Sequence, residues 1–246
     1  MTLRWVPGWN GLTEPEAVSY VAAVEAADEL ELEFGVARAI NDFVTGCKTD
    51  GIWDAIKACC ILAGARTLGG ALVPLVGAAP TNNFFVDADY DRETGLVGDA
   101  SIKYLDSNRL ENADLQNSHH ISVFVSDIGG GTLFPRYISS GILRNELVTT
   151  QAWSRGAVVN TTSSTGFNGV SRASSAGFTS RRASSDTFTS GGTQAVVGSN
   201  YLLFRDNAGS LSSSRLAFYS IGESLDLAAL NTRVSNLITA IGAAIP

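Results

Sequence analysis

Asp87, Asp89, Asp91 and Glu93 alternate along DADYDRE, the spacing with which a calcium loop begins. Arg92 stands where such a loop turns on glycine. Position 98 is glycine where the bidentate glutamate is needed, so the EF-hand pattern fails. A looser calcium site on these aspartates stays open beside a plainer reading, the polar face of an edge strand and its turn. His119 and His120 are the only histidines. Neighbours on a strand point to opposite faces, so the two cannot share one metal. One is expected to face solvent and the other to cap the sheet. No G-x-S-x-G elbow occurs, since residues 166–170 read GFNGV, and the glycine run 129–131 has no P-loop lysine after it. Carboxylate pairs for glycoside hydrolysis are conceivable on any sandwich of this size, but nothing selects one. The sequence carries no enzyme signature, and no catalytic residue, metal or cofactor is assigned.

A tandem repeat is more informative. The blocks 171–180 (SRASSAGFTS) and 181–190 (RRASSDTFTS) agree at seven of ten positions, with Phe178 and Phe188 in register. A strand plus a turn fills ten residues, so the blocks predict successive strands of an antiparallel sheet. The repeat also supplies a hydroxyl- and arginine-lined surface.

The 246 residues allow a sizeable core, either in one all-β domain with helical additions or in two small domains. A net charge of −7, with lysine only at 48, 57 and 103, argues against a nucleic-acid partner, which needs a dense cationic face. Cys47, Cys59 and Cys60 are odd in number, clustered and without C-x-x-C spacing, and are expected to be buried free thiols, as suits a reducing cytoplasm. Met1–Gly11 shows no signal-peptide core. The apolar run Ala58–Ala79 is broken by Arg66, Pro74 and glycines, so no membrane insertion is expected.

Four segments are expected to position these residues. Residues 1–12 form an arm carrying Trp5 and Trp9, which either fold back on the chain's own core or anchor it to a particle. Residues 13–80 form a helical anchoring subdomain. Its first helix, 14–30, opens on a capping box at Thr13-Glu14-Pro15-Glu16; the second spans 34–48; the third spans 50–63, with Asp50 as N-cap and apolar groups at Ile52, Trp53, Ile56, Cys59/Cys60 and Leu62. Residues 81–222 form a β-sandwich. Its short strands are expected at 84–87, 102–105, 119–126, 137–139, 148–153, 157–161, 177–179, 187–189, 201–205 and 216–220, where β-branched and aromatic residues run between turn formers. Residues 223–246 form an amphipathic helix with Ser224 as N-cap. Its seam of Leu227, Leu230, Val234, Leu237 and Ile241 either packs on the sandwich or contacts another subunit. The fold class is therefore mainly β: an antiparallel sandwich of jelly-roll, lectin-like type, with a small N-terminal helical subdomain and a C-terminal helix.

Three stretches carry a family resemblance. TGLVGDASIKYLDSN at 94–108, followed by HHISVFV at 119–125, resembles the opening segment of LamG/concanavalin-like domains in tailed-bacteriophage structural proteins. RLAFYSIGESLDLAAL at 215–230 resembles the closing strand and terminal helix of the same proteins, and DGIWDA at 50–55 the helical segment before them. The resemblance implies a non-enzymatic virion protein of fibre, spike or decoration type, assembled in host cytoplasm beside other virion proteins and often trimeric.

Where such a domain binds host-surface polysaccharide, the polar loop 106–117 and the Ser/Arg face 171–186 are the places to look. Asp106, Asn108, Arg109, Arg172 and Arg182 could pair with sugar hydroxyls, and Tyr104 could stack on a ring. Two other readings stay open: a purely structural head or tail subunit making only protein contacts, and a glycan-degrading enzyme on this fold.

Overall fold

The computed structural model describes residues 11–129, 138–140, 143–145, 151–154, 157–160, 164–193, 198–205 and 209–246. Trp5 and Trp9 lie outside them, as do parts of the strands expected at 137–139, 148–153 and 157–161. In chain order the elements are helices α1 (Pro15–Asp28) and α2 (Phe34–Thr49), strand β1 (Ile56–Ile61), the short helix α3 (Leu68–Ala71), and strands β2 (Thr81–Asn83), β3 (Tyr90–Asp91), β4 (Gly95–Val97), β5 (Tyr104–Leu110) and β6 (His119–Asp127). Then follow β7 (Ile138–Ser140), β8 (Leu143–Asn145), β9 (Gln151–Ser154), β10 (Ala157–Asn160), β11 (Gly166–Ser174), β12 (Gly177–Arg182), β13 (Ser185–Ser190), β14 (Asn200–Leu203), β15 (Arg215–Gly222) and the closing helix α4 (Leu227–Ala244).

The strands make a large sheet in the order β13-β12-β11-β6-β15-β4-β3, with β1 also paired to β15, a smaller sheet in the order β2-β5-β14-β7-β8, and the hairpin β9–β10. Every pairing among the described residues is antiparallel, as expected for a mainly β chain. The repeat blocks do build successive neighbours, β11, β12 and β13, which form a meander. The order as a whole does not establish a jelly-roll winding.

Alternation along the strands divides the core in two. On one face of the large sheet Ile121, Val123, Tyr219 and Ile221 meet Leu105, Tyr201 and Leu203 of the small sheet, which is the sandwich interior. On the other face Phe167 and Phe218 meet Val36, Ile40 and Phe43 of α2 and the apolar stripe of α4. Phe43 and Phe218 pack edge-on with centroids 5.7 Å apart. The molecule thus has three layers, helices over the large sheet over the small one.

Several expectations are corrected. Residues 56–61 are a strand, not part of a third helix. Ile56, Ala58, Cys59, Cys60, Ile61 and Leu62 are all buried, and a strand covered on both faces shows an unbroken apolar run that periodicity cannot tell from a helix. With β1 in the large sheet, residues 13–80 are not a separate subdomain, because their apolar residues share one cluster with Phe167, Phe218 and α4. The capping box at Thr13 does not form; the side chain of Asn41 instead accepts from the backbone N–H of Thr13 and Glu14, at 2.8 and 3.0 Å. The N-cap of α4 is Asp226, whose carboxylate accepts from the N–H of Ala228 and Ala229, while Ser224 bonds Ser118. The three cysteines are buried free thiols.

Of the two readings of the α4 seam, packing within the chain holds and the contact with another subunit is corrected. Leu227, Leu230, Val234, Leu237 and Ile241 are each at most 3 % exposed, buried against α2 and the large sheet of the same chain. They have no apolar surface left for another subunit. Arg233, on a flank of the helix, pairs with both carboxylate oxygens of Asp50 at 2.7 and 2.8 Å and so ties α4 to the end of α2.

Candidate functional site

The residues singled out in the sequence separate into two groups. Tyr104 and Asp106 alternate along β5 with the buried Leu105 and Ser107, so pleating turns both to the outer face of the small sheet; Asn108 is exposed beside them at an irregularity in the β14–β5 ladder. Arg172 and Arg182 lie in the large sheet on β11 and β12.

On the outer face Tyr104 and Asp106 gain two neighbours that sequence reading missed. Asn200 on β14 donates its amide to Asp106 Oδ2 at 3.2 Å. Arg205, just beyond β14, sets its guanidinium carbon 4.6 Å from the centroid of the Tyr104 ring. These four side chains, with Ser199 and Leu202, line an open depression of about 450 Å³. Asp106 Oδ1 accepts from the N–H of Asn108 at 2.8 Å, so a local turn holds the carboxylate while further acceptor lone pairs remain. One face of the Tyr104 ring carries Arg205. The depression therefore presents a stacked ring and guanidinium, where a bare aromatic platform was expected.

The remaining candidates are committed elsewhere. Asn108 takes a left-handed backbone (φ +56°) and donates to the carbonyl of Ala79 and to Thr81 Oγ1, at 2.8 and 2.9 Å, which fastens β2 to β5. Arg109 Nε donates to Asp114 Oδ2 at 3.0 Å, and the pair closes the loop after β5. Arg172 is wholly buried. It donates to the carbonyls of Ser154, Ser174 and Gly191 and to Ser154 Oγ, so it pins β9 and the end of β13 to β11 and cannot meet a ligand. Arg182 pairs across to Asn168 and Ser185, far in sheet order from the depression.

The acidic run does not converge. Asp89 accepts from Lys103 Nζ at 2.6 Å and from the N–H of Val86, while Asp91 Oδ1 caps the next turn through the N–H groups of Glu93 and Thr94 and the hydroxyl of Thr94. Those hydrogen bonds hold the Asp91 carboxyl below its usual pKa. Among the described residues no three carboxylate, histidine or cysteine side chains are grouped to hold a metal.

Both histidines are buried, against the expectation that one faces water. The opposite-face rule does hold: His119 turns to Ser154 Oγ at 3.1 Å, under the β9–β10 hairpin, and His120 turns to the helical layer. His120 Nδ1 lies 2.6 Å from the carbonyl of Glu223, which fixes the proton there. Nε2 then accepts from Ser220 Oγ at 3.0 Å, and Ser122 Oγ lies 2.8 Å behind. Burial pushes the pKa of His120 down to about 4, helped by the nearby Arg109 and opposed by the Glu223 carbonyl, so the imidazole is neutral. This Ser–Ser–His chain resembles a nucleophile and its base, but all three residues are sealed from solvent.

No protein family matches the chain, and no curated protein does. Among solved structures the chain is similar to domain 4 of AbnA, a GH43 extracellular arabinanase from Geobacillus stearothermophilus, in complex with arabinotriose. The identity is 11 %, over 66 % of this chain and 82 % of that one, with a TM-score of 0.43. It is also similar to the Trypanosoma rangeli sialidase in complex with 2,3-difluorosialic acid, at 11 % identity over 82 % of this chain and 39 % of that one, with a TM-score of 0.30. Likenesses this distant carry no argument about function.

Proposed function

We propose that this chain is a non-catalytic saccharide-binding subunit, and that it serves a tailed-bacteriophage virion as a fibre, spike or decoration protein that touches host-surface polysaccharide. The observation that supports the binding reading is the outer face of the small sheet. There a carboxylate, an amide and a ring-stacked guanidinium surround one open depression. Asp106 and Asn200 offer acceptors and donors spaced for vicinal hydroxyls, and the Tyr104–Arg205 stack offers a flat wall. The setting in a virion is supported by the sequence resemblance.

A glycan array probed with the whole chain, followed by calorimetry on any hit, tests the reading. Binding that falls about 10- to 100-fold in Asp106→Ala, the loss of one or two hydrogen bonds to a charged group, supports it. An array without hits, or a hit indifferent to Asp106→Ala, removes the saccharide from the proposal. Locating the chain in a map of a virion tests the setting: a place among buried shell subunits leaves only a structural role.

A further inference from the structure

Strand β13 ends the large sheet; β10 packs close to it, with Ala157 beside Gly191, but does not pair with it. β13 pairs with β12 on one side, and no strand among the described residues pairs with it on the other. Five of its six residues are exposed, Phe188 to 64 %. Its hairpin register shows which backbone groups face outward. Arg182 and Ser185 are partners across the two-residue turn Ala183-Ser184, and the N–H of Gly191 donates to the carbonyl of Ala176 at 3.0 Å in the same register. Hydrogen-bonded pairs alternate along an antiparallel ladder, so Ser185, Thr187 and Thr189 bond inward to β12. The N–H and C=O groups of Asp186, Phe188 and Ser190 point away from the sheet.

Exposed edges are normally blunted by charged side chains, lysine above all, by proline or by a bulge. β13 has no lysine, proline or bulge. It reads SDTFTS, pairs with β12 without a register shift, and has one charge, Asp186, which is paired with Arg181 at 2.8 Å. We propose that β13 is the docking edge for β13 of a second copy of this chain, joined antiparallel about a two-fold axis through Phe188, so that the large sheets of two chains run on as one.

The edge chemistry selects that register. A two-fold axis perpendicular to the sheet keeps each face continuous, so facing partners must be an even number of residues apart. Centred on Phe188, the pairing sets Phe188 against Phe188 of the second copy, Asp186 against Ser190 and Ser190 against Asp186. All three pairs use the outward-pointing backbone groups, which allows about six hydrogen bonds, two for each pair. The two rings meet on one face as an aromatic cross-strand pair, and each Asp186 meets a hydroxyl instead of the other carboxylate. Moving the centre to Thr187 sets Phe188 beside Asp186, leaves Ser190 unpaired and gives about four bonds. A two-fold interface also differs from the trimer that the sequence resemblance implied.

Two substitutions leave the fold alone and strike the edge. Phe188→Lys replaces an exposed ring with a charge that faces its own copy. Ser190→Pro removes an N–H that β12 does not use, so the intrachain ladder is intact. Sedimentation equilibrium of the whole chain should show a dimer for the wild type, weakened at least about tenfold in both variants, with wild-type circular dichroism and melting of the monomer. A wild type that stays monomeric at about 100 μM overturns the proposal. So does any oligomer that survives either substitution unchanged.

Discussion

The guanidinium of Arg205 lies over the ring of Tyr104, 4.6 Å from its centroid, and so joins the segment after β14 to the start of β5. The contact forms one wall of the depression that holds Asp106 and Asn200. Arg205 thus orders the site through Tyr104 as much as it offers donors of its own. Arg205→Ala is expected to cost the fold only about 0.5–1 kcal/mol. It should weaken a bound saccharide about tenfold, since a donor and a wall go together. Tyr104→Phe keeps the stack and should keep most of the affinity. Calorimetry on both variants separates the stack from the phenol hydroxyl.

Leu230 is wholly buried between α4, α2 and the large sheet. Leu230→Ala leaves a cavity in that layer and is expected to lower stability by about 2–5 kcal/mol. The mass of the assembly should not change, because the seam makes no use of a second chain. Thermal melting read beside light scattering checks both halves of this expectation. An oligomer that dissociates without a change in monomer melting would contradict the intrachain packing of α4.

The antiparallel strands were legible where turn residues bounded short alternating runs. Residues 119–126 and 216–220 anticipate β6 and β15 within a few residues, and the tandem blocks anticipate the neighbours β12 and β13. β11 itself was not: Gly166 and Gly169 interrupt its pattern, and Gly169 sits where a Cβ would lie 3.2 Å from Leu227 of α4. β1 was missed because burial on both faces erases alternation. The Phe register in the repeat misleads in a different way. Thr189 stands opposite Phe178, and Thr179 opposite Phe188, so the two rings take opposite faces; Phe178 is buried and Phe188 exposed. In the candidate site Tyr104 was readable from a strand and Asp106 from a polar stretch expected as the loop 106–117, into which β5 in fact runs as far as Leu110. Arg205 was not, because it reaches Tyr104 only through the pairing of β14 with β5, which no local pattern encodes.

The buried His120 makes stability depend on pH in a defined window. Its pKa is about 4 in the folded chain against an ordinary 6.5, so the unfolded chain binds more protons between those values. The stabilisation is fully present above about pH 6.5 and is lost as pH falls towards 4; at roughly 1.4 kcal/mol per pH unit it amounts to about 3 kcal/mol. Glu33, Asp91 and Asp99 have carboxyls held below their ordinary values, by Arg92, by the turn at Thr94 and by the backbone N–H groups of Ser101, Ile102 and Lys103 respectively. Their losses on acidification fall mainly below the histidine window. His120→Gln keeps a polar side chain between Glu223 and Ser220 but does not titrate. Urea unfolding of both proteins from pH 7.5 to 4 should show the wild type losing the larger share of its stability, with the curves converging as pH falls. Parallel curves would mean that the imidazole takes up its proton without leaving the Ser220–Glu223 network, and that burial there costs the charged form far less than its sealed position implies.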